Sequence, residues 1–470
     1  MDRIYQYAAL GTSRFARANA VTGLVEVARP VAFPQRPGAL DALLGSANGE
    51  PAQDEAAFTV RVQGPDKASN LPVMVFIPGG GFLSGTGMTR WFDQPAGEDS
   101  PHILVTVNYR LGVLGHLGPE PTPEASQRPL EDLELALRWV QIHIANFGGD
   151  PENITLAGDS AGAWYSYALA TLPQTKGLFK RLALISLPRQ APQTEEQYLS
   201  RWKFAHERLT PAGGFVDAPV EQILDTQQAL AKHFAGQGMP LMPAAGGHIS
   251  QRLHNYQDSV QDLHVDELLL LSTEHEAQAF LLPAPEQAFD AAAVEGFAHA
   301  HFETPEQVVA WVQQQQPDSH KQQMAALITL YQFTQAAREL AVAGDQAGKR
   351  VFVAGFGLTS PVTGGSPHCM TLPFLFGQRD GWWDAPMLEG IAEETLTATT
   401  QAVRSWLLGF VIEGQPRLPD SYAVSAHPQF TSAAPVRLGF GLNDAQRVTA
   451  ELREPAEWAY ETKAQYVNAE

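Results

Sequence analysis

The run Gly158-Asp159-Ser160-Ala161-Gly162 is the part of this chain best suited to chemistry. The largely apolar stretch Ile154-Thr155-Leu156-Ala157 precedes it, and residues of helical character, Ala163-Trp164-Tyr165, follow. A strand that turns sharply into a helix at a serine lifts the hydroxyl out of the fold. Glycines on either side leave room where side chains would collide. The helix N-terminus then faces any negative charge that forms beside the hydroxyl. Acyl transfer asks this geometry of its nucleophile.

A serine hydroxyl attacks a carbonyl only when a base removes its proton and a third group orients that base. The tetrahedral intermediate also needs donors for its oxygen. Gly79-Gly80-Gly81-Phe82 follows an apolar run and supplies backbone N–H groups that no side chain blocks. Gly80 and Gly81, with the N–H of Ala161 after the nucleophile, make a candidate oxyanion hole. No Gly-Lys-Ser/Thr follows these glycines, so they do not form a phosphate loop.

The elements that must hold these groups are readable from about residue 72 onward. Short apolar runs at 73–77, 103–107, 154–156, 182–187, 268–271 and 351–354 read as strands, and 131–145 and 161–172 as helices. Strands alternating with helices predict an α/β chain with a mostly parallel sheet covered on both faces. The segments 190–265 and 283–345 are more helical and polar, and read as insertions or a cap. The glutamine run Gln313-Gln314-Gln315-Gln316 reads as a solvated helix end or loop. The first sixty residues read as irregular, rich in Ala, Pro and Gly.

Several blocks together resemble the type-B carboxylesterase and cholinesterase family of α/β-hydrolases. They are Leu71-Pro72-Val73-Met74-Val75-Phe76-Ile77-Pro78-Gly79-Gly80-Gly81-Phe82, Asn108-Tyr109-Arg110-Leu111-Gly112-Val113-Leu114-Gly115, Ala136-Leu137-Arg138-Trp139-Val140-Gln141, Asn146-Phe147-Gly148-Gly149-Asp150-Pro151 and the serine block. Weaker echoes reach Trp406 and Gly414-Gln415-Pro416. The resemblance implies the α/β-hydrolase fold, one domain over 1–470 with helical insertions forming a cap, a small-molecule ester substrate and no cofactor. It also implies the chain order serine, acid, histidine. The acid aligned with the family is Glu276, with Glu274 a competitor two positions upstream. The histidine before Leu372-Pro373-Phe374-Leu375-Phe376-Gly377 is His368, whose ordinary pKa near 6.5 suits a base near neutrality. The pattern breaks in places. Pro78 stands where relatives have His or an aromatic residue, Thr371 where they have an acid, Ala56 or Ala57 where they have a disulfide cysteine, and Ile185-Ser186-Leu187 where they have Gln-Ser-Gly. Phe82, Trp164, Phe374 and Phe376 are candidates to line an apolar pocket, Trp164 read first as a core residue.

With 31 basic and 51 acidic residues the formal charge is −20, which opposes nucleic acid and anionic membranes as partners. No uncharged apolar stretch of about 18 residues is present, and no signal peptide is read at the N-terminus. The single cysteine, Cys369, fits a reducing compartment and a prokaryotic cytoplasm. Cys369 lacks an elbow of its own and reads as a buried small residue. His299 and His301 lack further ligands, so no metal is expected. The leading function is ester hydrolysis through Ser160, His368 and Glu276. The alternatives are a non-catalytic binding module, and the same mechanism on an amide, carbamate or lactone.

Overall fold

The computed structural model describes residues 1–95 and 101–417, and the backbone of 436–438. Ten strands form one sheet: β1 (Asp2–Ala9), β2 (Asn19–Val27), β5 (Thr59–Gln63), β6 (Leu71–Ile77), β7 (Ile103–Val107), β8 (Gly149–Asp159), β9 (Arg181–Ile185), β10 (Glu267–Thr273), β11 (Arg350–Phe356) and β12 (Val436–Leu438). β3 (Val31–Ala32) and β4 (Ala52–Gln53) pair separately. Across the large sheet the order is β2-β1-β5-β7-β6-β8-β9-β10-β11-β12. From β7 to β12 every neighbouring pair is parallel, while β5, β1 and β2 add an antiparallel edge.

From β7 to β11 both faces of the sheet are buried, as the continuous apolar runs require. Side chains alternate along each strand. In β6, Val73, Val75 and Ile77 join one apolar cluster, and Met74 and Phe76 the other. In β10, Leu268 and Leu270 divide from Leu269 and Leu271 in the same way. Helices Arg128–His143 and Ala161–Thr171 cover the first face with Leu133, Leu137, Tyr165 and Leu169. Helix Glu393–Glu413 covers the second with Val403, Trp406 and Phe410, and Gly414 ends it at φ +72°.

The N-terminal expectation fails. Residues 1–63 are not irregular but supply β1, β2 and β5. β1 carries the buried Ile4, Tyr5, Tyr7 and Ala8, a strand signal that the reading passed over. β2 is an edge strand exposed along nearly its whole length, so no buried face imposed alternation on it.

The two polar, helical segments are insertions between strands. One lies between β9 and β10 and includes helices Glu195–Leu209 and Val220–His233. The other lies between β10 and β11 and includes Ala291–His301, Pro305–Gln315, His320–Thr329 and Gln335–Gln346. Gln313, Gln314 and Gln315 form the exposed last turn of their helix. Among the described residues no helix is long and apolar enough to cross a membrane.

Candidate active site

Four connections leaving the carboxyl ends of parallel strands build the site, the usual place for it in an open α/β sheet. β8 ends at Asp159, and Ser160 turns the chain into helix Ala161–Thr171 at φ +53° and ψ −122°. The Ser160 N–H donates to the Ile185 carbonyl (2.9 Å), and its carbonyl accepts from the Trp164 N–H (3.0 Å). The strained backbone is held from both sides, as functional strain must be. A Cβ on Gly162 would lie 2.0 Å from the Ile77 carbonyl oxygen, so the elbow admits only glycine there.

β6 runs into Pro78 and the three glycines. Gly80 sits at φ +127°, where a Cβ would meet the Ser84 carbonyl at 2.0 Å. Three contacts brace this loop. The Tyr109 hydroxyl donates to the Pro78 carbonyl (2.6 Å), the Gly79 N–H donates to Asp159 Oδ1 (2.9 Å), and the Leu83 N–H donates back to the Gly80 carbonyl (3.1 Å). The N–H groups of Gly80, Gly81 and Ala161 take no partner among the described residues.

β10 ends at Thr273, and the following turn carries Glu276, which is fully buried. Glu276 Oε1 accepts from the Thr273 N–H (2.7 Å), and Oε2 accepts from His368 Nδ1 (2.5 Å). Glu274 instead stays beside β11, its N–H donating to the Phe356 carbonyl (2.9 Å). The His368 N–H donates to the Glu276 carbonyl (3.2 Å), so backbone and side chain fix the pair together. With Nδ1 committed to the carboxylate, the buried Nε2 has no partner among the described residues.

Burial lowers the pKa of the His368 imidazole, but its neighbours outweigh that and hold it well above 6.5. Burial pushes the Cys369 thiol up, against the opposing pull of His368. Burial likewise pushes Asp159 up to about 6, against the opposing pull of the Gly79 N–H and His368. Cys369 is buried, as the sequence predicts, with Sγ 3.9 Å from Asp159 Oδ2.

Ser160, His368, Gly80, Gly81 and Ala161 line one cavity of about 540 Å³. Phe82 is also in its wall. Trp164 and Phe374 are not; Trp164 packs in the core, the reading the sequence favours for it, and Phe374, a pocket candidate, is in the core as well. Trp164 packs edge-on against Phe82 (5.7 Å) and Tyr165 (5.6 Å) and donates to the Gln190 carbonyl (2.9 Å). Phe374 is fully buried, 5.6 Å from the Phe356 ring. Phe376 packs edge-on against Phe76 (5.0 Å) and Phe92 (5.5 Å). The cavity wall is completed by residues the sequence did not mark, among them Leu40, Trp91, Met239, Phe280, Ile328 and Phe333. They come from segments far apart in the chain, and no local motif announces them. Asp159 was also passed over, although its place beside the serine was the available signal. Among the described residues no group of three or more His, Cys, Asp or Glu is set to hold a metal. The His301 ring stacks on Phe297 (4.1 Å).

Comparison with known proteins agrees with this architecture. The model of the Carboxylesterase family matches residues 5–454. The probable N-octanoylanthranilate hydrolase of Rhodococcus erythropolis is 30% identical over 407 residues, 83% of this chain and 84% of that protein. The phenmedipham hydrolase of Pseudarthrobacter oxydans is 27% identical over 435 residues, 90% of this chain and 85% of that one. Among solved structures, the Geobacillus stearothermophilus carboxylesterase aligns with a TM-score of 0.74 at 22% identity, over 93% of this chain and 92% of its own. The chain belongs to the carboxylesterase family and has the α/β-hydrolase fold. It is a carboxylic ester hydrolase.

Proposed function

We propose that this chain hydrolyses small-molecule carboxylic esters through a Ser160-His368-Glu276 triad and an acyl-enzyme intermediate. Ser160 Oγ attacks the ester carbonyl while His368 Nε2 takes its proton. The N–H groups of Gly80, Gly81 and Ala161 receive the oxyanion. His368 then protonates the leaving alcohol, and water deacylates the enzyme by the same route. Glu276 keeps the proton on Nδ1, so Nε2 stays the acceptor, and stabilises the imidazolium as it forms. The observation that carries this reading is the buried Glu276–His368 bond of 2.5 Å, which leaves Nε2 partnerless among the described residues on a ring that lines the same cavity as Ser160.

The chain acts as one catalytic domain, with the two helical insertions as its cap. The single cysteine suits a reducing compartment such as the cytoplasm. Replacing Ser160→Ala should lower kcat for p-nitrophenyl butyrate by roughly 10⁶-fold, the scale of triad loss, and abolish labelling by a fluorophosphonate. Wild-type turnover or labelling in that variant would remove the assignment.

A further inference from the structure

One wall of the cavity carries two facing carboxamides. Gln190 Nε2 donates to Gln332 Oε1 at 3.0 Å, and both residues line the cavity. Each is anchored from behind. The Gln190 carbonyl accepts from Trp164 Nε1 (2.9 Å), and the Gln332 carbonyl accepts from the Arg189 N–H (2.7 Å). The Arg189 guanidinium lies over the Tyr331 ring (5.3 Å) and pairs with Glu339 (2.5 Å). Gln332 lies in Leu330–Thr334, a π-helical turn between helices His320–Thr329 and Gln335–Gln346. Such turns are rare and recur at functional sites. Around this one, Ile328, Gln332 and Phe333 all reach the cavity.

Counting donors and acceptors defines what the pair still needs. A carboxamide has two N–H donors and an oxygen with two lone pairs. The mutual bond leaves Gln190 Oε1 and Gln332 Nε2 without a partner among the described residues. Exchanging O and N in both amides leaves the same complement, one acceptor beside one donor. The ionisable groups of the cavity wall are already engaged: Arg36 pairs with Glu221 and Asp225 (2.7 Å each), Asp41 accepts from the Gly38 N–H (2.8 Å), Asp159 accepts from the Gly79 N–H (2.9 Å), and His368 is paired with Glu276 (2.5 Å). A charged substituent would therefore lose its hydration without a counter-charge. An ester carbonyl would meet only the donor and leave the acceptor unmet.

We propose that Gln190 and Gln332 form a subsite for a secondary amide or carbamate unit, with the substrate N–H on Gln190 Oε1 and its carbonyl on Gln332 Nε2. The scissile ester of the same substrate lies at Ser160. This rests on the reading of Ser160 as nucleophile for its place in the reaction, but not for the binding it specifies.

The test compares isosteres on the full chain carrying Ser160→Ala, which cleaves neither. N-butylbenzamide and butyl benzoate differ only in N–H against O. An apolar wall without partners favours the ester, because the amide loses more hydration on entering. Calorimetric titration should instead find the amide binding about tenfold more tightly, the scale of one satisfied against one orphaned buried group. Gln190→Leu should erase that preference, and Gln332→Leu should weaken both ligands. Equal binding, or tighter binding of the ester to the Ser160→Ala protein, overturns the subsite before any second variant is made. A preference that survives Gln190→Leu also overturns it. Hydrolysis of p-nitrophenyl butyrate by the wild-type chain, followed in parallel, reports on the Ser160 chemistry and is independent of the isostere ratio.

Discussion

His368 is pulled in two directions, and the balance sets how the site answers to pH. Burial opposes a charged ring, while Cys369 and the Glu276 carboxylate, 2.5 Å from Nδ1, favour it, with a pKa well above 6.5 as the net result. In the proposed mechanism His368 must be neutral to take the proton of Ser160. Activity therefore falls as pH drops through that raised value, so the acid limb of kcat/KM lies above 6.5. Glu276→Gln removes one of the two groups that raise the pKa and leaves Cys369 and burial to act. The acid limb should then move to lower pH, even as kcat falls on the order of 10³–10⁴-fold through loss of the oriented tautomer. A pH–rate profile of the two proteins with p-nitrophenyl butyrate measures both effects. A limb that stays in place would show that Glu276 does not set the charge of His368.

At the scale of elements, the serine elbow and the glycine loop are separate turns that must keep a fixed distance. Tyr109, from the connection after β7, bridges to the loop through its hydroxyl and the Pro78 carbonyl at 2.6 Å. Arg110 beside it is buried with Asp132 (2.6 Å) and donates to the Ala16 carbonyl (2.7 Å), so that connection is itself anchored. Tyr109→Phe removes only the hydroxyl. It should cost about 1–2 kcal/mol of stability and lower kcat several-fold with little change in KM if, as proposed, the loop donors act chiefly on the oxyanion. A change confined to KM would place the loop in ground-state binding instead. These turns were legible because each packs its function into contiguous residues: Gly158 to Gly162, Gly79 to Phe82, and His368 in its flanking run. The acid was less legible, since Glu274 and Glu276 differ only in which one meets His368 after β10 ends. Of the N-terminal strands, β2 was lost because its exposed residues carry no period-two burial, whereas β1 held a readable buried run. The cavity wall was lost for another reason. Met239, Ile328, Gln332 and Phe333 converge from two insertions, and Trp164 and Phe374 sit close in sequence to the site yet behind its wall.

For the molecule as a whole, the site is a local cost carried by two large apolar clusters on the faces of the sheet. Left-handed backbone at Phe82, Ser160 and Cys369 is one part of that cost. The other is Asp159, only 3% exposed, whose carboxyl is pushed up to about 6 by burial. Below its unfolded value of 3.8 the group is neutral whether folded or not, and nothing is lost. As pH rises from 3.8 towards 6, the unfolded chain releases the proton first, and folding stability declines. Above that window the full penalty applies, about 3 kcal/mol for a shift of this size. Asp159→Asn keeps an oxygen for the Gly79 N–H and removes the charge. The variant should exceed the wild type by about that amount in urea unfolding near pH 8, and come close to it near pH 3, where the aspartate is largely protonated both folded and unfolded. Tryptophan fluorescence at the two pH values measures the difference. An equal gain at both would trace it to packing of the amide, and the buried charge would then carry none of the cost.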